Sequence, residues 1–218
     1  MIVYNTIALP SGEGGRAKAR PGEVYKIPLP THLFRHGLRR ATFPKGEGFT
    51  QINDHLSQEG ANFMEIRLAT VNEIPGMIDL LQQVGEVHHQ IRPDLFRAGA
   101  QKYSEADLAE LLKDGTRPIF GAIDNGKLLG YCFCIIEEVK TNPVLCDTKT
   151  LYIDDLCVDE GCRGRGIASK LYTHVCDYAR SIGCASVTLN VWCGNDNAMR
   201  FYESRGMKPR KIYMEAQL

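Results

Sequence analysis

The sequence has no excess of either charge and no long hydrophobic run. Its 26 lysine and arginine residues equal its 26 aspartate and glutamate residues, so the chain lacks the broad positive charge that attracts proteins to nucleic acids or anionic membranes. No stretch approaches the roughly 20 apolar residues of a membrane-spanning helix. The N-terminal stretch MIVYNTIALPSGEGG also lacks the basic start and apolar run of a secretion signal. We therefore expect a soluble, cytoplasmic protein that binds neither nucleic acid nor membranes.

Metal ligands are also sparse in the sequence. The eight cysteines lie between Cys132 and Cys193, include no Cys-x-x-Cys pair, and have only His174 among them. Structural zinc sites need closely spaced cysteine and histidine ligands, so we expect no bound metal. Without a secretion signal, free buried thiols are favoured over disulfides.

The composition changes near residue 63. Residues 1–63 are rich in proline and glycine and contain only short apolar runs, which predicts an N-terminal extension, poorly ordered or weakly packed, with no assigned function. From Met64 onward the pattern becomes regular, so residues 64–218 are predicted to form the folded domain, and Met64 is itself a candidate start. No partner at ligand spacing accompanies the three histidines of the extension, His32, His36 and His55.

Within the predicted domain, apolar spacing indicates a succession of helices and strands in the order β-α-α-β-β-β-α-β-α-β. Thr70-Val71-Asn72-Glu73 matches a helix-capping box, and Asn125-Gly126 is a strong signal for a two-residue hairpin turn. The order favours a mixed sheet with helices on both faces. The predicted helices begin near Pro75 and Ser104 and cover 166–182 and 195–204. The predicted strands cover 64–69, 118–124, 127–139, 150–158, 185–192 and, as a closing strand, 211–217.

The most informative stretch is DDLCVDEGCRGRGIAS, residues 154–169, where an apolar strand passes through a glycine-rich turn into a helix. A helix start presents free backbone N–H groups and favours anions, and Arg163 and Arg165 add positive charge. On these residues alone, three interpretations stay open: a phosphate-binding turn, a nucleic-acid patch or an ordinary strand-to-helix turn. The stretch is neither a dinucleotide fingerprint, since Ser169 replaces the third glycine, nor a P-loop, since no Gly-Lys-Ser/Thr follows.

Two separate motifs give the chain a resemblance to a known family. RGRGIA, residues 163–168, matches Arg/Gln-x-x-Gly-x-Gly/Ala, and NDNAMRFYESRGM, residues 195–207, matches Asn-x-x-Ala-x-x-Phe-Tyr-x-x-x-Gly-Phe except at Met207. Over residues 64–218 the chain resembles the GNAT superfamily of acetyl-CoA-dependent N-acetyltransferases. The resemblance implies an α/β (α+β) fold with a mixed, mostly antiparallel sheet of six to seven strands and helices on both faces.

The resemblance also implies that acetyl-CoA is the co-substrate and that no metal takes part. The glycine-rich turn would hold the pyrophosphate, and the end of the preceding strand would pair with the pantetheine arm and donate an N–H to the thioester oxygen. Asn195 would cap the last helix and bond to the same arm. The residues assigned to acetyl-CoA are Leu156, Cys157, Val158, Arg163, Gly164, Arg165, Gly166, Ile167, Ala168, Ser169 and Asn195.

The stretch YIDDLCV, residues 152–158, is similar to the diamine N-acetyltransferases, which carry glutamate in place of Asp154. Asp154 is the candidate base that takes a proton from the amine, directly or through a water molecule. The resemblance implies that Tyr202 is the acid for the leaving thiolate. Strict alternation along a strand predicts that Asp154 and Asp155 point to opposite faces. The alternative for both aspartates is that they only attract a cation or cap the strand.

The acceptor amine is less well specified. Asp155, His88 and Arg92 are the candidate substrate-binding residues, although the two basic residues also suit a solvated helix end. No histidine adjoins Cys157 or Cys193 to activate a thiol, which favours direct transfer over an acyl-enzyme.

The favoured function is transfer of an acetyl group from acetyl-CoA to a primary amine of a small molecule or polyamine. Three alternatives stay open: a protein or peptide N-acetyltransferase, a non-catalytic acyl-CoA-binding regulator, and a nucleotide or nucleic-acid binder that uses Arg163 and Arg165. A homodimer is compatible with the sequence.

Overall fold

The structure, a computed structural model, describes residues 64–218, so the predicted extension 1–63 and its histidines lie outside the described residues. Two 3-10 turns, Val71–Glu73 and Glu160–Cys162, precede the first and the third helix. Within this part of the chain, no helix is long and apolar enough to cross a membrane. The strands are β1 (Glu65–Leu68), β2 (Ile119–Asp124), β3 (Lys127–Val139), β4 (Thr148–Val158) and β5 (Ser186–Leu189), and the helices are α1 (Ile74–Ile91), α2 (Glu105–Leu111), α3 (Ile167–Ser181) and α4 (Asp196–Ser204).

The five strands form one sheet in the order in which they follow along the chain. The pairs from β1 to β4 are antiparallel, and only β4 and β5, which α3 connects, run parallel. Parallel neighbours need such a crossover helix. The predicted mixed, mostly antiparallel sheet with helices on both faces is confirmed, with five strands among the described residues rather than six to seven.

Local signals explain where several elements begin. The Thr70 side chain accepts a hydrogen bond from the Asn72 N–H, and the Glu73 carboxylate accepts one from the Thr70 N–H, which confirms the predicted capping box. The hairpin between β2 and β3 turns at Asn125 and Gly126, whose φ angles of 49° and 78° match the left-handed conformation that this two-residue turn requires.

The predicted closing strand 211–217 is wrong. Residues 207–218 form neither strand nor helix, and Ile212, Tyr213 and Met214 are 79%, 95% and 82% exposed. These three apolar residues follow one another directly, whereas a strand with one buried face needs apolar residues at alternate positions. The segment therefore has no single apolar face with which to join the sheet.

The sheet separates two apolar clusters, which define an α1 face and an α3 face. On the α1 face, α1 and α2 pack on strand residues such as Tyr131, Phe133 and Cys157. On the α3 face, helix α3 packs on Leu151, Ile153, Leu156 and Val158 among others. The sheet between these layers carries the candidate active site along β4.

A β-bulge interrupts the pairing of β3 with β4. Phe133 pairs with Asp155, but Cys134, the next residue of β3, pairs with Ile153. Asp154 is therefore the extra residue of the bulge. Bulges re-aim the side chains that follow them, because the alternation between the two faces of the sheet shifts by one residue.

The bulge corrects the prediction that the two aspartates point to opposite faces. Asp154 bonds to Lys102 in the loop that joins α1 to α2, and Asp155 bonds to Tyr131 of the α1-face cluster. Both carboxylates therefore lie on the α1 side of the sheet, and they form one acidic pair.

β4 and β5 separate soon after they meet. Their pairing covers only four residues of each strand, Thr150–Ile153 against Ser186–Leu189. From Asp154 to Val158 the edge of β4 that faces β5 has no neighbouring strand among the described residues. The gap opens at the bulge, so the acidic pair lies where β4 leaves β5.

Candidate active site

The turn between β4 and α3, residues 163–169, is hereafter called the glycine turn. Gly164 and Gly166 have φ angles of 77° and 76°, which favour glycine, and a Cβ atom at either position would meet no atom within 4 Å. Gly166 is the N-cap of α3, and no side chain in the described part of the chain caps this helix. The first N–H groups of α3 are therefore open to an anion from outside.

Two arginines flank these N–H groups. Arg163 Nε donates to the Val158 carbonyl oxygen at 3.4 Å, and Arg165 Nη1 lies 3.7 Å from Cys162 Sγ. Neither guanidinium forms an ion pair with a carboxylate within residues 64–218. Their positive charge adds to that of the helix start, which suits a phosphate or pyrophosphate group.

The three predicted residues at the end of β4 use their side chains for packing. Leu156 and Val158 belong to the α3-face cluster and Cys157 to the α1-face cluster. Burial raises the pKa of the Cys157 thiol to about 12, and its Sγ lies 3.7 Å from the Leu80 carbonyl oxygen. The backbone edge is therefore the part of this segment that is available to a ligand, and the Cys157 thiol stays protonated.

Tyr202 lies on α4 with its side chain almost completely buried, 2% exposed. Its hydroxyl has no hydrogen-bond partner among residues 64–218. Burial, followed by the charges of Cys132 and Asp155, raises the pKa of Tyr202 well above its ordinary value. The hydroxyl is thus a neutral donor at physiological pH, close enough to Asp155 to be influenced by its charge.

Asn195 caps α4, as predicted. Its Oδ1 accepts a hydrogen bond from the Ala198 N–H at 3.2 Å, and the residue is buried. This cap fixes the start of the helix that carries Tyr202.

Lys102 is the partner of Asp154, and the sequence analysis missed it. Lys102 Nζ lies 2.8 Å from Asp154 Oδ2, with side chains 19% and 11% exposed. The position of Lys102 next to Tyr103, between two helices, carries no motif that would mark it. The Asp154 carboxylate, which was predicted to meet the substrate amine, is therefore already paired with the ammonium group of Lys102.

Asp155 is the more deeply buried member of the acidic pair, at 1% exposed. Tyr131 Oη donates a hydrogen bond to its Oδ2 at 2.8 Å, while Oδ1 is buried without a hydrogen-bond partner among the described residues. Burial raises the pKa of Asp155 to about 7, although the charge of Lys102 and the bond from Tyr131 act in the opposite direction. A carboxylate with this proton affinity is suited to accept a proton near neutral pH.

The two basic residues predicted to bind substrate have different environments. His88 is buried on α1, and burial with the charge of Lys102 lowers its pKa to about 4. Its ring stacks on Phe96 at 5.0 Å, and Phe96 meets Trp192 edge-on at 5.3 Å. His88 is therefore uncharged near neutral pH and belongs to an aromatic cluster with Phe96 and Trp192.

Arg92 lies near the surface in ion pairs. Its Nη2 is 2.7 Å from Asp94 Oδ2 and 2.9 Å from Glu215 Oε2, and its side chain is 24% exposed. Its charge is already balanced by these two carboxylates.

No group of three or more histidine, cysteine, aspartate or glutamate side chains in the part of the chain that the structure describes is arranged to hold a metal ion. The groups that β4 and its neighbours bring together are proton donors, proton acceptors and an anion-binding helix start.

These parts combine an anion-binding helix start, an open strand edge, a neutral tyrosine and a tuned carboxylate, which are the requirements of acyl transfer to an amine. Residues 85–207 match the sequence profile of the acetyltransferase (GNAT) family. This match spans more than half of the chain, and the chain belongs to that family.

Curated relatives include N-acetyltransferases of an amino sugar phosphate. The glucosamine 6-phosphate N-acetyltransferase of Arabidopsis thaliana is 31% identical, over 38% of this chain and 63% of that protein. The chain thus spans less than two thirds of this relative. The enzyme of the same description from Trypanosoma brucei brucei is 24% identical, over 71% of this chain and 96% of that protein.

Solved structures agree with the fold. A point mutant of the BH1408 protein from Bacillus halodurans is 31% identical, covers 71% of this chain and 99% of its own, and gives a TM-score of 0.68. An aminoglycoside acetyltransferase from a soil metagenomic sample, solved with sisomicin, is 21% identical with a TM-score of 0.55, covering 72% of this chain and 97% of its own. At that identity the second likeness concerns the fold alone.

Proposed function

We propose that the protein transfers an acetyl group from acetyl-CoA directly to the primary amine of a small molecule. The observation that carries this proposal is the course of β4. This one strand bears the acidic pair at the point where it leaves β5, and it leads within a few residues to the open glycine turn. A carrier bound at the turn and an amine bound at the acidic pair would thus lie along the same edge.

The glycine turn fits the pyrophosphate of acetyl-CoA. Its N–H groups are uncapped and its glycines leave open space, while its arginines pair with no carboxylate among the described residues. The open edge of β4 at 156–158 would pair with the pantetheine arm, Asn195 would bond to the same arm, and an N–H near Cys157 or Val158 would polarise the thioester. When bound, acetyl-CoA supplies the activated acetyl group.

The acidic pair would handle the proton of the amine. Asp155 is the proposed proton acceptor, since burial raises its pKa to about 7. The proposed base therefore moves from Asp154 to its neighbour, because the Asp154 carboxylate is already paired with Lys102.

Tyr202 would protonate the departing thiolate. Its hydroxyl is neutral, buried and unpartnered among residues 64–218, so it can donate without first breaking an internal bond. Direct transfer is supported by the state of Cys157, whose thiol stays protonated and packed in the core. The protonated Cys157 thiol is a poor nucleophile, because the thiolate is the form of cysteine that attacks an acyl group.

A small amine fits the acidic pair better than a polyamine does. The ion pair with Lys102 cancels one negative charge, and burial favours the neutral form of Asp155. Two or more ammonium groups would find little net negative charge here. The relatives that act on glucosamine 6-phosphate also have a small-molecule amine as acceptor.

An acceptor screen tests this proposal. The full chain is incubated with acetyl-CoA and panels of small amines, polyamines and peptides, and the release of CoA thiol is followed. The expected result is amine-dependent thiol release with a subset of the small amines. Release with peptides alone would contradict the proposed substrate class, and acetyl-CoA binding without release for every acceptor would favour a regulator that only binds the carrier.

A further inference from the structure

The β-bulge brings two carboxylates onto the same side of the sheet, and each has a different partner. Lys102 Nζ lies 2.8 Å from Asp154 Oδ2, whereas Asp155 accepts a hydrogen bond from the Tyr131 hydroxyl, also at 2.8 Å. Adjacent carboxylates oppose each other's ionisation, because like charges repel. The repulsion is stronger here than in water, since Asp154 and Asp155 are only 7% and 1% exposed. A cation beside the pair therefore influences how readily Asp155 loses its proton.

The loop that carries Lys102 is attached to β3 at the residue that pairs with Asp155. Tyr103, the next residue of the loop, stacks its ring on that of Phe133 with 6.0 Å between the ring centres, and Phe133 pairs with Asp155. The Lys102 ammonium lies 5.0 Å from the centre of the Tyr103 ring, within range of a cation–π contact. Packing as well as the ion pair thus holds Lys102 near both aspartates.

Most of the groups around Asp155 are uncharged near neutral pH. The titratable groups of residues 64–218 that interact with it include Lys102, Tyr131, Cys132, Asp154, Cys157 and Tyr202. Burial raises the pKa of both thiols and of Tyr202, so these three stay neutral, and Tyr131 is a hydroxyl donor. His88 of α1 is neutral too, because burial and the charge of Lys102 lower its pKa to about 4. The charges that remain among these groups are those of the Lys102 ion pair.

The two charges of this ion pair act on Asp155 in opposite directions. Burial is the main cause of the raised pKa of Asp155, which is about 7, while the charge of Lys102 lowers this pKa and that of Asp154 raises it. Without Lys102, burial and repulsion would act together, and Asp155 would keep its proton to higher pH. A carboxyl group that is already protonated cannot accept the proton of the amine.

We propose that Lys102 is a positioning residue for the proton transfer: its ammonium pairs with Asp154 and offsets the charge of that carboxylate, so that Asp155 is free to take the proton of the amine. This inference rests on the proposed function, since it concerns the base of the same reaction. Lys102 acts through the two aspartates and need not touch the acceptor.

The pH dependence of kcat/KM in Lys102→Met tests the inference with the full chain, acetyl-CoA and an accepted amine. This profile reports protonation in the free enzyme, and one amine is used throughout, so its own titration is common to every profile. The rising limb should move to higher pH by about one unit, because the carboxylates have lost their cation. Lys102→Arg restores a cation and should keep the limb close to its wild-type position. Lys113→Gln is the matched control, since Lys113 is exposed in a surface pair with Glu110, and its profile should superimpose on that of the wild type.

Asp154→Asn should give a shift of the opposite sign. This variant removes the negative charge next to Asp155 and leaves the Lys102 ammonium in place, so the limb should move to lower pH. The double variant Lys102→Met/Asp154→Asn lacks both charges, and its limb should lie between those of the two single variants. Loss of packing alone would lower kcat/KM at every pH without moving the limb.

The outcomes separate the two proposals. A limb that stays in place or moves to lower pH in Lys102→Met would overturn the inference and leave the proposed function standing. If that variant does not fold, Asp154→Asn decides, since a limb that does not move to lower pH there would overturn the inference as well. No thiol release from acetyl-CoA with any amine would overturn the proposed function, and the inference with it.

Discussion

The glycine turn and the acidic pair both lie along β4, yet they are built in different ways. The turn consists of consecutive residues, 163–169, which present uncapped backbone N–H groups. The acidic pair is assembled from distant parts of the chain, since Lys102 precedes Asp154 by 52 positions and Tyr131 precedes Asp155 by 24. The glycine turn would bind its ligand through backbone N–H groups, whereas the properties of the acidic pair depend on charges whose environment is set by burial. Changes at the turn should therefore affect binding of acetyl-CoA, and changes around the acidic pair should affect turnover and acceptor choice.

The largest expected effect concerns Tyr202, whose pKa is influenced by the charge of Asp155. Tyr202→Phe removes the proton donor and leaves the buried ring in place, so we expect kcat to fall by about 10²-fold or more with little change in the KM for acetyl-CoA. Steady-state thiol release measures both constants. Tyr213→Phe is the control, because that tyrosine is 95% exposed in the C-terminal segment. A kcat within about twofold of the wild type in Tyr202→Phe would show that the tyrosine is not the acid.

The next effect concerns Asp155 and pH. If this carboxylate must be deprotonated to accept the proton, kcat/KM should rise with pH up to about 7 and then level off, following its raised pKa. Asp155→Asn should lower kcat by about 10- to 100-fold and remove that limb of the profile. A limb that survives in Asp155→Asn would assign the titration to another group.

The raised pKa of Asp155 also predicts how the stability of the fold depends on pH: stability should decrease as pH rises, whereas activity should increase. The folded state holds the Asp155 proton more tightly than the unfolded chain, whose aspartates titrate near about 4. This contribution to stability is complete below about pH 4 and is lost as pH rises to about 7. Over that range the free energy of unfolding of the wild type should fall relative to that of Asp155→Asn. Urea denaturation of both proteins at several pH values measures the difference.

A smaller effect should separate the glycine turn from the rest of α3. Gly166 and Gly183 both have a φ of 76° and open space at the Cβ position, but they lie at opposite ends of this helix. Alanine at either site should cost about 1 kcal/mol of stability, because the left-handed conformation disfavours a side chain. Only Gly166→Ala should also raise the KM for acetyl-CoA, by several-fold, with kcat nearly unchanged. An equal KM effect at Gly183 would contradict the assigned position of the carrier.

The glycine turn could be predicted from the sequence because its signals are local. The signals for a glycine-rich turn between a strand and a helix, for the capping box at Thr70 and for the helix start at Ser104 involve residues close together in the sequence. The cap at Asn195 is of the same kind. Such patterns survive in any tertiary context, and the structure confirms these caps and helix starts.

The acidic pair could be predicted only in part. The sequence shows two adjacent aspartates, and strict alternation predicts that they point to opposite faces of the sheet. This prediction fails because Asp154 forms a one-residue bulge, which depends on how β3 pairs with β4. Lys102 lies in a loop without a motif, and its pairing with Asp154 follows from the tertiary fold alone. The prediction of a closing strand at 211–217 is wrong for a related reason. Pairing with the edge of a sheet cannot be inferred from apolar residues that do not alternate along the segment.

The most direct test of the account is to follow where the acetyl group goes. Wild-type protein is mixed rapidly with labelled acetyl-CoA and an accepted amine, quenched at short times, and separated into protein and small molecules by mass spectrometry. Direct transfer across the end of β4 predicts one N-acetylated amine for each CoA thiol released, with no acetyl group on the protein at any time. Acetyl-protein that forms before the product and decays into it would contradict the account.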